Sequence, residues 1–217
     1  MVLKVKIVSA ENLQDVLDSQ LIWRRREISS LVTLAKSSSF PVQVGILRAS
    51  VPLLYAHWEG FSKECFVRYL ELVSYKRVKF KHLDPAFLYM ASLPSLARIA
   101  HVDVNEGLEI LGNLMERLEN TNKDNFKKKV NTRSNLRSDV LKDLLTMCGL
   151  EGAAFEADAD FIDREICDSR NEIAHGSGSA PTMEAFLRRR DRAFTLMTQL
   201  QSIVVNAAIA TSYKLAA

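Results

Sequence analysis

From Val42 to about Tyr75 the chain keeps a single periodicity. Leu47, Val51, Leu54, Tyr55, Trp58, Phe61, Cys65, Tyr69 and Leu72 return every three or four residues, the spacing of an α-helix and not of a strand. A helix of that length carrying so many large apolar side chains needs other helices to cover it. Pro52 either kinks the run or marks a turn between two helices, because proline removes an amide donor and crowds the preceding turn.

The flanking sequence supplies that cover. Ser9-Ala10-Glu11-Asn12 offers caps ahead of Leu13, Val16, Leu17, Leu21, Ile28, Leu31, Val32 and Ala35, a helix that fades in Ser37-Ser38-Ser39 before Pro41. Pro85 and Pro94 each limit short helices between Asp84 and Ala100. Val104 to Leu118 reads as a helix with Leu108, Leu111, Leu114, Met115 and Leu118 on one stripe. Ser134 to Cys148 reads as another, with Gly149 placed as its left-handed cap. A helix from about Asp160 to Ala174 comes next, with Asp158 or Asp160 as its cap, and a last helix runs from Thr182 to about Thr211. Tyr75 to His82 is a basic stretch read as a solvated loop or short strand, with phosphate contact as the alternative, and Glu119 to Asn131, with its three lysines, as an exposed loop. Met1 to Val8 alternates and is either a short strand or an extended arm. With only 8 Gly and 5 Pro, the expectation is one all-α domain over residues 1–213, a multi-helix bundle. Lys214-Leu215-Ala216-Ala217 resembles a vector-derived tail.

Composition narrows the function classes. A net charge of +3 permits a polyanionic partner without demanding one. Cys65, Cys148 and Cys167 are odd in number and lack CxxC spacing, so they read as reduced, buried thiols of a cytoplasmic protein. No run of about 18 apolar residues suggests a membrane span, and no secretory signal is evident. HExxH, P-loop, GxGxxG and EF-hand patterns are all missing, which removes the usual zinc, nucleotide and calcium readings and leaves no cofactor implied.

One short stretch does carry chemistry: Arg170-Asn171-Glu172-Ile173-Ala174-His175, followed by Gly176. Asn171 and His175 are four apart and stack on one helix face; Arg170 and His175, five apart, lie about 140° around the axis and flank a site. Gly176 predicts that the helix stops at His175, where the helix dipole favours a cation. An arginine's planar fork suits phosphate oxygens, and an imidazole titrates near enough to neutrality to give or take a proton. Asn171 can orient the imidazole or donate to a phosphate oxygen. Such a set suits RNA cleavage by the ribose 2′-hydroxyl without a metal. The rival reading is a structural helix end.

At these residues the sequence resembles the HEPN superfamily, whose signature is an Arg, four to six residues, then a His. The likeness is closest to the stand-alone HEPN-like nucleases of bacteria. Asn131-Thr132-Arg133-Ser134-Asn135-Leu136 and Leu53-Leu54-Tyr55-Ala56-His57-Trp58-Glu59-Gly60 resemble segments upstream of the motif in that group. The resemblance implies a helical bundle and a homodimer with a composite site. It also implies a metal-independent endoribonuclease, a toxin or antiviral-defence effector with an antitoxin or defence-system partner, in which Arg170, Asn171 and His175 are catalytic. The alternative is a helical dimerisation module that binds RNA, a nucleotide or a protein without catalysis. His57, Glu59 and Arg48 are auxiliary candidates for the pocket. Arg188, Arg189 and Arg192 are candidates for the RNA backbone, otherwise a solvated helix face.

Overall fold

Residues Phe40–Lys76 form one continuous helix of 37 residues, α2, about 55 Å long at 1.5 Å per residue. A computed structural model describes residues 6–122, 124 and 126–215. Pro52 lies inside α2 without dividing it, so no turn separates two helices there. Trp58, Phe61, Cys65, Phe66, Tyr69 and Val73 are fully buried, and they fall within an arc of about 140° around the axis, so the second half of α2 sinks one broad face into the core.

Two long helices lie against it and against each other. The first, α1 (Ala10–Ser37), starts at Ser9, whose hydroxyl accepts the Asn12 amide at 3.2 Å, and buries Leu13, Leu17, Leu21, Ile28 and Val32. The last, α7 (Met183–Ile209), is capped by Thr182 and buries Phe186, Phe194, Leu196, Met197, Leu200 and Val204. Between them in sequence come α3 (Pro85–Ile99), α4 (Val104–Glu119), α5 (Ser138–Met147) and the short α6 (Ser169–Ala174), which packs on α2. The described residues hold isolated bridges at Lys79–Thr121 and Leu83–Lys214 but no strand. The architecture is an all-α bundle, and none of its described helices is long and apolar enough to cross a membrane.

Several local expectations need correction. Pro94 does not break α3, which runs through it. Glu119 to Asn131 is not simply an exposed loop: Phe126 is fully buried against the rings of Phe80 and Phe87, at 6.3 and 5.6 Å, and Asn122 is also buried. The Tyr75–His82 stretch begins with the end of α2, turns at Arg77 with φ 50°, and buries Phe80 in a 3-10 turn. On α4 the apolar stripe faces outward at Leu108, Leu111 and Met115, and Ile110 is its buried contact. The helix after Asn131 begins only at Ser138, because Arg133 and Ser134 have φ of 52° and 58°, values a right-handed helix forbids. Gly149 has the left-handed φ of 66° expected of a cap. Met1–Val5 lie outside the described residues; Lys6–Val8 are not helical, and Ile7 is buried. Lys214 and Leu215 return to the fold beside Leu83 and His82, while Ala216 and Ala217 lie outside the described residues.

The start of α5 is capped from a distance. Asp163 accepts both the Ser138 amide and the Ser138 hydroxyl, each at 2.8 Å, whereas Asp160 makes no capping bond and Asp158 pairs with Arg192. Asp163→Ala should therefore cost about 1–2 kcal/mol in urea denaturation. Asp160→Ala should stay within about 0.5 kcal/mol of wild type. Equal losses for the two would refute the cap.

Candidate active site

The segment leading into the motif is wider than an α-helix. Phe161–Asp168 is a π-helical stretch that runs directly into α6, and the Ser169 amide reaches back five residues to the Arg164 carbonyl. Such stretches absorb an extra residue and rotate the downstream residues relative to an ideal helix. Ile162, Ile166 and Cys167 stay buried, which anchors the stretch in the core.

Its far end is equally well defined. The Gly176 amide donates to the Ile173 carbonyl at 3.1 Å and the Ser177 amide to the Glu172 carbonyl at 2.9 Å, with Gly176 at φ 86°. This paired closure needs a left-handed residue at Gly176, which only glycine adopts freely. His175 is therefore the last residue before the turn and stands exposed. Arg48 on α2 donates to the Ser177 carbonyl and so holds the turn onto the long helix.

Arg170 is fixed from two sides. Its guanidinium carbon lies 4.0 Å from the centre of the Tyr55 ring, and Nη2 donates to the Ser134 carbonyl at 3.2 Å. The Tyr55 hydroxyl accepts the Leu136 amide at 3.0 Å, and burial pushes its pKa upward. Trp58 Nε1 donates to the Leu136 carbonyl at 3.2 Å, and Glu59 accepts the Thr132 hydroxyl at 2.6 Å. Residues 131–136 thus form a belt strapped across three successive contacts on α2, and Arg170 rests on the junction. The Arg170 Nε is buried with no partner. Asn171 is half-buried, and its carbonyl accepts the His175 amide at 2.9 Å.

The structure thus brings Arg170, Asn171, His175 and Arg48 to one end of the bundle, with Glu59 one step removed behind the belt. It separates His57 from them. His57 is 3% exposed, with Nε2 2.9 Å from the Glu27 carboxylate and its ring edge-on to Trp23. It stands two residues from Tyr55, about 200° around the helix, and faces α1 instead of the motif. Of the α7 arginines, Arg189 pairs with Glu165 at 3.5 Å and Arg192 with Asp158, tying α7 to the segment before the motif. Arg188 remains exposed. Tyr55 and the Ser134 carbonyl escaped sequence reasoning as site components. The apolar spacing of Tyr55 marks it as core, and no pattern reveals a left-handed Ser134.

A family model described as RiboL-PSP-HEPN matches residues 19–206, most of the chain. No curated relative and no solved structure matches.

His57 gives a test of the separation. Burial, reinforced by Arg24 and opposed by Glu27, holds its folded pKa below the ordinary value. Between the folded pKa and the unfolded value of about 6.5 the unfolded chain binds more protons, so stability falls as pH drops through that window. Denaturation midpoints between about pH 7 and 5 should fall more steeply for wild type than for His57→Gln. Parallel curves would contradict the assignment of His57 as a neutral, buried structural group.

Proposed function

The chain belongs to the RiboL-PSP-HEPN family, and on that premise we propose that it is a metal-independent endoribonuclease of the toxin or antiviral-defence kind. The observation that carries this reading is the mounting of Arg170: a guanidinium stacked on Tyr55 and tethered to Ser134, on the helix that ends at an exposed His175. The guanidinium's remaining donors serve the phosphoryl oxygens, whose negative charge grows as the phosphorus becomes five-coordinate. His175 exchanges protons with the reacting oxygens. The 2′-oxygen loses its proton and bonds to phosphorus, the bond from phosphorus to the 5′-oxygen breaks, and that oxygen takes up a proton. The products are a 2′,3′-cyclic phosphate and a 5′-hydroxyl. The Asn171 side-chain amide, one helical turn before His175, donates to a phosphate oxygen or steadies the imidazole. Arg48 and Tyr55 are positioning residues for the turn and for Arg170.

One imidazole cannot easily serve both the attacking and the departing oxygen, and a second copy of the chain supplies another. Leu34, Phe40 and Val42 are exposed apolar side chains near the same end. Phe40 lies eight residues before Arg48 on α2, about 12 Å along the axis. That edge suits a homodimer in which two motifs share one cleft.

Wild type incubated with mixed RNA in excess chelator should cut it, leaving cyclic phosphate ends. His175→Ala should abolish cutting while keeping the wild-type circular dichroism, and Arg170→Lys should lower the rate by about 10²-fold or more. Cleavage by a pure, folded His175→Ala protein would remove the acid–base role. RNA binding without cleavage by wild type would favour the non-catalytic module. Phe40→Asp should shift the mass in light scattering toward monomer and reduce cleavage with it; a fully active monomer would exclude the shared cleft.

A further inference from the structure

A second polar site lies at the opposite end of α2, about 30 Å along the helix from Tyr55. A cavity of about 820 Å³ opens there, lined by Lys6, Tyr75, Lys76, Arg77, Asn122 and Lys127 among others. That volume falls in the range of small-ligand pockets. Two carboxylates also border it, and both are already matched. Glu71 accepts from Arg68 at 2.9 Å and lies 3.5 Å from Lys127, and Asp124 pairs with Arg117. Arg68 and Arg117 are not among the lining residues. Arg117 answers Asp124, and Lys127 together with Arg68, which Glu64 shares, answers Glu71, so Lys6, Lys76 and Arg77 are left on the cavity wall with no ion pair among the described residues.

Asn122 adds a directed donor. It is 0% exposed, its Oδ1 accepts the Asp124 amide at 2.9 Å, and its Nδ2 has no partner among the described residues. The bond to Oδ1 fixes which way the amide points, so the orphaned group is the donor. A buried donor left unsatisfied is costly, and an anion oxygen meets that demand once the exposed side chains that close Asn122 off from the cavity move aside. Lys6 sits 4.7 Å from the centre of the half-exposed Tyr75 ring, which holds one ammonium group at the mouth.

We infer that this cavity binds a compact polyphosphate group, either free or carried by a nucleotide. A long polyanion fits poorly, because the adjoining cavity offers a continuing strand no spare cation among the described residues: its Arg117 is paired with Asp124, its Glu119 is paired with Lys81, and Glu116 borders it as well. Arg170 and His175 play no part in this site, which stands independently of the motif.

Isothermal titration of the full chain with inorganic tripolyphosphate, ATP, adenosine and a single-stranded oligoribonucleotide tests it. Tripolyphosphate and ATP should each bind to a single site, and adenosine should not. ATP binding more tightly than tripolyphosphate would assign the nucleotide as the source, and equal binding would assign the charge alone. The double variant Arg77→Asn/Lys127→Gln should weaken both by about tenfold or more. Asn at position 77 tolerates the left-handed backbone, and an unchanged melting temperature would show that the fold is intact. Lys76→Gln, at an exposed position, serves as an independent second variant and should also weaken binding. Arg170→Ala should bind like wild type. Absence of tripolyphosphate binding, equal affinity in the charge variants, binding lost with Arg170→Ala, or binding of the oligoribonucleotide alone would each overturn the assignment.

Discussion

The burial of α2 governs everything else in this molecule. A helix about 55 Å long with large apolar side chains over about half of its circumference cannot show that face to water, so the face must be covered. α1 and α7 take one side. The remainder is covered by shorter pieces: α6, the turn around Phe126, and the belt of residues 131–136. Each short piece is held by polar bonds from side chains of α2 or from other pieces, because none is long enough to be stable as an isolated helix.

That division of labour explains why the motif sits where it does. The motif lies on one of the short covering pieces and not on the long helices. The Tyr55 ring serves twice, as part of the wall of α2 and as the seat of a guanidinium, and its hydroxyl secures the belt whose carbonyl steadies the same arginine. The order of the site therefore comes from the core beneath it, while His175 projects past the last helical turn into solvent.

Much of this was legible in the residues. Apolar spacing gave the long helices, Ser9 and Thr182 act as their caps, and Gly149 and Gly176 take the left-handed values their positions demanded. The motif's own neighbours predicted a helix end at His175. Other features left no local trace. The left-handed backbone at Arg133 and Ser134 lies in a segment that Tyr55, Trp58 and Glu59 bind from some 75 residues away; locally Asn131 Oδ1 accepts the Arg133 amide at 2.8 Å, which marks a turn without specifying its hand, and neither left-handed residue is a glycine. Phe126 among lysines looked like loop, and its burial depends on two other aromatic rings. His57 and Tyr55 are neighbours in the sequence but opposed on the helix, so adjacency in a motif-like string misled where angular position decides. The α7 arginines invited a nucleic-acid reading because their acidic partners come from distant segments.

The π-helical stretch before α6 makes the direction of the motif a matter of residue count. Deleting a single amino acid between Phe161 and Asp168 would let the segment relax to ordinary α geometry while its apolar anchors stayed buried. The motif would then be drawn back along its axis and turned by roughly a quarter of a revolution. Relatives that differ only by such a gap would keep all three motif residues and the same bundle, yet point them at different space. The spacing from the buried isoleucines to the arginine thus sets the direction of the motif, which its letters alone do not.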